Sequence, residues 1–183
     1  MKTIAIVGAT GAVGQQMLKC LEERNIQCNL KLLASARSKG KKFKFFDQEI
    51  ICEELNPDSF KDVDFALGAT ENDIAKTWIP WALENEVIIV DNSSAFRLDQ
   101  DVPLVIPEIN PEDIAKNKGI IANPNCATII ALVALNSLHK EFKIKRMIVT
   151  TFQAVSGAGV KGIQDLENQL KTANNTDGIV PAE

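Results

Sequence analysis

The sequence lacks any CxxC pair. Its four cysteines, at positions 20, 28, 52 and 126, show neither redox-pair nor zinc spacing. They are therefore read singly, as free thiols of a reduced, cytoplasmic protein. Long apolar runs are missing too. The longest, 127–135, falls well short of the ~20 residues that cross a bilayer, so no membrane span is expected. A first strand expected from Thr3 leaves no room for a signal or transit peptide. The 20 Lys and Arg are dispersed among 24 Asp and Glu, giving a net charge of -4. No basic stripe marks a nucleic-acid surface, although a small anion needs only local cations. Histidine is nearly absent, with His139 alone. No internal repeat or low-complexity tract is visible. What remains is an ordinary globular composition, 45% hydrophobic and 24% charged. The 183 residues suffice for one full domain and part of a second.

Apolar patterning alternates strand and helix. Strands are expected at Thr3–Val7, 30–34, 63–67, 87–91, 104–106 and 120–122, with a hairpin of 43–46 and 49–53 around Asp47 and Gln48. Helices are expected over 14–23, then through Ile74, Trp78, Trp81 and Leu83, and over about 127–139. This order implies an α/β fold: a doubly wound, Rossmann-type, mostly parallel sheet. Gly8, Ser35, Gly68, Asn92 and Asn123 all follow strands, at the carboxyl edge where such sheets bind ligands. Beyond Cys126 the pattern changes to a helix, a strand at 146–152 and a helix carrying Val160, Ile163, Leu166 and Leu170. These are not a closed unit. The expected division is a nucleotide-binding domain over 1–126 and the start of an incomplete α+β domain over 127–183.

Gly8, Gly11 and Gly14 follow a strand and open a helix. Such glycines let the backbone approach a pyrophosphate, and the helix start supplies free N–H groups. Thr10, Ala12 and Val13 complete the loop. A βα turn that binds nothing is the plain alternative. NAD sites usually place an acid after the second strand. Here the segment reads Ala34-Ser35-Ala36-Arg37-Ser38-Lys39, without an acid. Arg37, with Ser35 or Ser38, suits a ribose 2′-phosphate, so NADP is the expected cofactor. Otherwise Arg37 is a solvated loop charge.

Cys126 begins a helix after Asn123-Pro124-Asn125. Unpaired N–H groups and the helix dipole stabilise negative charge on such a sulfur. Asn125 offers an amide donor to a developing oxyanion. Cys20, Cys28 and Cys52 lack this setting and are read as packing residues. A buried helix-start cysteine is the alternative for Cys126.

Six ordered segments carry a resemblance: 8–14, 35–41, 90–97, 103–110, 123–128 and 153–159. Together they resemble aspartate-β-semialdehyde dehydrogenase, over roughly the first half of a family chain. The resemblance implies reduction of aspartyl 4-phosphate by NADPH to aspartate 4-semialdehyde and phosphate, a step in the biosynthesis of lysine, methionine and threonine. It implies Cys126 as the thioester-forming nucleophile, with Gln153 positioning the substrate. Thr10, Gly11, Ala12 and Val13 would meet the pyrophosphate, Arg37 and Ser38 the ribose phosphate, and Ser156 and Gly157 the cofactor. Asn92, beside the same strand edge, joins this cofactor set. Arg97 would hold the substrate phosphate, unless it pairs with Asp99 or Asp101. A homodimer or homotetramer is implied for the whole family chain, the start of whose catalytic and dimerisation domain would be 127–183.

The chain departs from the pattern in three places. The family histidine that acts as general acid/base has no counterpart, because His139 lies thirteen residues past Cys126, about 20 Å along a helix. Activity of this chain alone is therefore not expected. Glu71 stands where small hydroxyl residues are usual, and Asn123 and Ala127 where cysteine and serine are common. Two other readings stay open: an N-acetylglutamyl-phosphate reductase-like enzyme, and a non-catalytic NADP-binding module.

Overall fold

A computed structural model describes residues 1–174. Two compact units divide the chain, Met1–Ile144 and Lys145–Glu183. The first is built on seven strands: β1 (Thr3–Val7), β2 (Asn29–Ala34), β3 (Lys42–Phe45), β4 (Gln48–Glu54), β5 (Phe65–Gly68), β6 (Ile88–Asp91) and β7 (Ile120–Ala122). Their order in the sheet is β3-β4-β2-β1-β5-β6-β7. All neighbours are parallel except β3 and β4. The chain runs outward from β1 through β2, then returns to the other side of β1 as β5. That reversal opens a crevice at the carboxyl ends of β1 and β5.

Strand periodicity sorts side chains between two cores. Ala5 and Val7 of β1 face one, with Ile89, Val87 and Phe60. Ile6 faces the other, with Leu32, Phe45 and Cys52. Helix α1 (Ala12–Glu23) closes the second core with Leu18 and Leu21. Helix α2 (Asn72–Glu84) closes the first with Ala75, Trp78, Ile79 and Ala82. These four follow the i, i+3, i+4, i+7 rule of one helical face. Ile74 and Leu83, expected on this face, are instead exposed. Trp78 stacks on Phe60, centroids 5.6 Å apart, and its Nε1 donates to Thr70 Oγ1 at 3.0 Å.

Two expected strands are corrected. Residues 104–106 make only one bridge, Leu104 to Ala122. Residues 146–152 form no strand, and Ile148 and Phe152 are almost fully exposed. β-Branched residues favour a strand only where a neighbouring chain supplies hydrogen bonds and a face to pack on. The expected hairpin is present as β3 and β4, and β4 extends the parallel sheet through β2.

Helix α3 (Cys126–Phe142) follows β7 within the first unit. It is apolar, yet none of its residues is buried. In the second unit, a 3-10 turn over Val155–Ala158 leads into helix α4 (Gly159–Asn174). Ile163, Leu166 and Leu170 keep the expected spacing but stay exposed. Among the described residues no helix is long and apolar enough to cross a membrane.

Trp78→Ala removes the largest fully buried side chain. It is expected to cost about 3–5 kcal/mol in denaturant unfolding. A loss below about 1 kcal/mol would contradict the packing described.

Candidate active site

The glycine loop sits between β1 and α1. Gly8 N and Ala9 N both donate to Leu33 O, at 2.8 and 3.1 Å, tying the turn to β2. Gly8 has φ +87°, and a Cβ there would strike the Ala69 carbonyl. A Cβ on Gly14 would strike the Gly8 carbonyl and the Ala9 Cα. Gly11 has room, its nearest neighbour being 3.4 Å from an ideal Cβ. Gly8 and Gly14 are thus required by backbone contact, whereas Gly11 leaves open space beside the helix start. The first intrahelical bond is Gln15 N to Gly11 O. The N–H groups of Ala12, Val13 and Gly14 precede it, and no side chain caps them. Nor does an acid occupy the first turn. This bare, positively polarised helix start fits the pyrophosphate of a dinucleotide.

The second-strand loop joins it. Ser35, Ala36 and Arg37 are exposed after β2, while Ser38 is buried with its Oγ 3.3 Å from Thr10 Oγ1. Arg37 makes no ion pair among the described residues. Glu71 precedes α2, caps nothing with its side chain and faces solvent.

The third segment starts from Asp91, which is fully buried at the end of β6. Its Oδ1 accepts Ser93 N at 3.0 Å and its Oδ2 accepts Ser93 Oγ at 2.5 Å. Its backbone carbonyl accepts Asn123 N at 2.9 Å. The loop beyond β6 is held from α2 as well: Ser94 N donates to Asn72 Oδ1 at 2.9 Å, and Asn72 Nδ2 donates to Ser94 Oγ at 2.8 Å. Phe96 packs against the α2-side core. Beside it, partly buried Arg97 donates from Nε to Asn123 O and from Nη2 to Asn92 O, both at 2.8 Å. It makes no ion pair with Asp99 or Asp101; Asp101 pairs instead with Lys118 at 2.7 Å. Carbonyl oxygens therefore fix the guanidinium without neutralising it. Asn123 Nδ2 also donates to Asn92 Oδ1.

Three residues on, Cys126 is the first residue of α3 and is exposed. Asn125 is its N-cap, with Oδ1 accepting Ala127 N at 3.0 Å. The cap occupies the acceptor end of the Asn125 amide and leaves Nδ2 as a donor. The other thiols differ. Cys52 is buried in the α1-side core and Cys28 packs against it. Burial raises both of their pKa values, so both stay protonated. Cys20, expected as a packing residue, is exposed instead. It lies off the α1 stripe of Leu18 and Leu21 and accepts a weak bond from Gln16 Nε2 at 3.7 Å. His139 lies near the far end of α3 and is exposed. Among the described residues no group of His, Cys, Asp or Glu could hold a metal.

In the second unit, Gln153 is exposed in an irregular stretch, and Ser156 and Gly157 lie in the 3-10 turn. Gly157 N donates to Ala154 O at 2.9 Å. A Cβ on Gly157 would overlap the Gln153 amide, so this glycine makes room for that side chain.

Sequence reasoning assigned no role to Asp91, Asn72 or Asn123. Asp91 was detectable as an acid ending a buried strand with serine two residues on, the pattern of an Asx turn. The pairings of Asn72 with Ser94 and of Asn123 with Asn92 join segments distant in sequence, so no local pattern announces them.

Fold and site together define a doubly wound dinucleotide-binding chain with an exposed helix-start thiol and a carbonyl-held arginine at one sheet edge. Residues 3–117 match the semialdehyde dehydrogenase NAD binding domain, and residues 135–182 match the semialdehyde dehydrogenase dimerisation domain. The chain belongs to the semialdehyde dehydrogenase family. It is 52% identical over 172 residues to the Aquifex aeolicus aspartate-semialdehyde dehydrogenase, covering 92% of this chain and 51% of that protein. With the Bacillus subtilis enzyme it shares 45% identity, over 97% of this chain and 52% of the relative. The crystal structure of aspartate semialdehyde dehydrogenase II of Vibrio cholerae complexed with ASA superposes with a TM-score of 0.88 at 42% identity. That match covers 99% of this chain and 55% of the other. The Candida albicans enzyme with NADP gives 0.64 at 28% identity, over 79% and 48% of the two chains. The chain thus spans about half the length of the curated relatives it matches.

Limited alkylation with iodoacetamide, mapped by peptide mass, is expected to label Cys126 and Cys20 first. Cys28 and Cys52 should react only after denaturation. Early labelling of Cys52 would contradict its burial.

Proposed function

We propose that this chain carries the cofactor-binding and nucleophilic parts of an NADP-dependent aspartate-semialdehyde dehydrogenase. The observation that carries the reading is the junction of β7 and α3, where the backbone oxygen of Asn123 holds Arg97 three residues before the exposed Cys126 that opens α3. Thiol and fixed cation suit an acyl phosphate, an electrophile that a thiolate attacks directly.

The Cys126 sulfur attacks the acyl carbon of aspartyl 4-phosphate, and the Asn125 amide donates to the oxyanion that develops. The carbon–sulfur bond forms as the carbon–oxygen bond to phosphate breaks. Phosphate leaves with that electron pair and is met by the Arg97 guanidinium. When bound, NADPH supplies the hydride that reduces the thioester carbon. Cys126 would be the leaving group when aspartate 4-semialdehyde is released. Gln153, as a substrate-positioning amide, and Ser156 and Gly157, as cofactor contacts, enter through the resemblance.

The glycine loop holds the cofactor pyrophosphate through Thr10, Gly11, Ala12 and Val13, with Gly8 and Gly14 shaping the turn. Ser35, Arg37 and Ser38 take the ribose 2′-phosphate, and Asn92 borders the cofactor site. The division into 1–126 for the cofactor and 127–183 for the start of the catalytic and dimerisation domain is supported by the family match that begins at 135. That match also supports oligomerisation, which for the whole family chain is a homodimer or homotetramer. The free thiols suit a cytoplasmic protein. The lone histidine is about 20 Å along α3 from Cys126, too far for direct proton transfer. This chain alone therefore does not turn over. Relatives named as aspartate-semialdehyde dehydrogenases favour this substrate over N-acetylglutamyl phosphate, and the retained Cys126, Arg97 and Gln153 favour an enzyme over a bare NADP-binding module.

Fluorescence titration should show NADPH binding more tightly than NADH. Arg37→Ala is expected to weaken NADPH about ten-fold or more, as for loss of a charge-assisted hydrogen bond, and to leave NADH unchanged. Equal affinities for the two cofactors in the unmodified chain would overturn the NADP assignment.

Phosphate-dependent NADP reduction by aspartate semialdehyde should be absent with this chain. It should appear with a longer folded chain that contains it and supplies a histidine to Cys126. No turnover by that longer chain with Cys126 intact would defeat the enzymatic reading.

A further inference from the structure

Among the described residues the Arg97 guanidinium is held only by backbone carbonyls, those of Asn92 and Asn123. Its position therefore depends on what holds those two peptides at the right separation. Asn92 follows β6 and Asn123 follows β7, adjacent strands in parallel register up to Asp91 and Ala122. Beyond that pair the ladder is continued only by Asn123 N donating to Asp91 O. The next tie is between side chains: Asn123 Nδ2 donates to Asn92 Oδ1. Both asparagines are partly buried, so the bond is partly shielded from water.

From this geometry we infer that the Asn92–Asn123 side-chain bond is a positioning element, which sets the Arg97 guanidinium relative to Cys126. The inference rests on the reading of Arg97 as the phosphate-binding group. Arg97 bonds the backbone oxygen of each asparagine, not its side chain. Truncating either to alanine leaves both carbonyl acceptors in place and removes only the strut between them. Loss of the strut lets the two carbonyls separate, and the guanidinium follows whichever bond survives. The two truncations abolish the same bond, so their effects are not additive.

The test uses the whole chain and inorganic phosphate as the probe. Iodoacetamide labelling of Cys126 is followed against phosphate concentration, and the half-protecting concentration is read for each variant. The unmodified chain should be protected, and Arg97→Ala should lose protection. Asn123→Ala and Asn92→Ala should each raise the half-protecting concentration about five-fold, the scale of one lost hydrogen bond. The double variant should do no worse than either single one. NADPH affinity of Asn123→Ala, read by fluorescence, should stay unchanged, which separates a local displacement from general loss of structure. Unaltered protection in the single variants, multiplying effects in the double, or a parallel fall in NADPH affinity overturns the positioning role and leaves the Arg97 assignment standing. An unprotected parent chain, or protection that survives Arg97→Ala, overturns the phosphate assignment and this inference with it.

Discussion

The carboxylate of Asp91 lies at the centre of the site's construction. A carboxyl group taken fully out of water costs free energy unless hydrogen bonds replace its hydration. Here Ser93 supplies both, from its N–H and its hydroxyl. Satisfying the carboxylate bends the chain immediately after β6 and fixes the start of the loop that carries Arg97. The same residue's backbone oxygen receives Asn123 N, which joins β6 to the entry of α3. Its presence also limits the neighbouring strand: a Cβ on Gly68 would lie 2.9 Å from Asp91 Oδ1. One buried acid thus constrains β5, aligns β6 with β7 and sets the direction of the chain toward both the cation and the thiol.

A second constraint acts on the other side of the crevice. The Gly8 turn passes so close to Ala69, and Gly14 so close to Gly8, that no side chain fits at either glycine. The turn therefore brings the start of α1 against the loop after β5 and leaves three helix-start N–H groups uncapped. Thr10 and Ser38 then link this turn to the loop after β2. Loops from different parts of the sequence converge because parallel strands place all their carboxyl ends on one edge.

The second unit obeys different physics. Residues 146–152 are rich in strand-forming residues, and the α4 stripe has clear helical spacing, yet their apolar side chains are exposed. Helix propensity is satisfied within one segment, since each backbone bond closes four residues away. A strand requires another strand. This is why α4 forms and the expected strand does not.

The sequence by itself determined the local elements. β1 and β7 are found at their expected bounds, the hairpin lies within a residue of its own, and the helix start at Cys126 and the glycine turn are present, because apolar periodicity and glycine spacing are local signals. It also marked Cys126, Arg97 and Arg37 as candidates from residue type and motif order. It misplaced Cys20, Ile74 and the strand at 146–152, where packing partners decide the outcome. Only the tertiary structure revealed that Arg97 is held by two carbonyls rather than by Asp99 or Asp101, and that Asp91, Asn72 and Asn123 brace the loops around it. Three of these bonds, Asn72–Ser94, Arg97–Asn123 and Asn92–Asn123, join residues 22 to 31 positions apart. Such pairings exist only after the sheet has brought its strand ends together, and no short stretch of sequence encodes them.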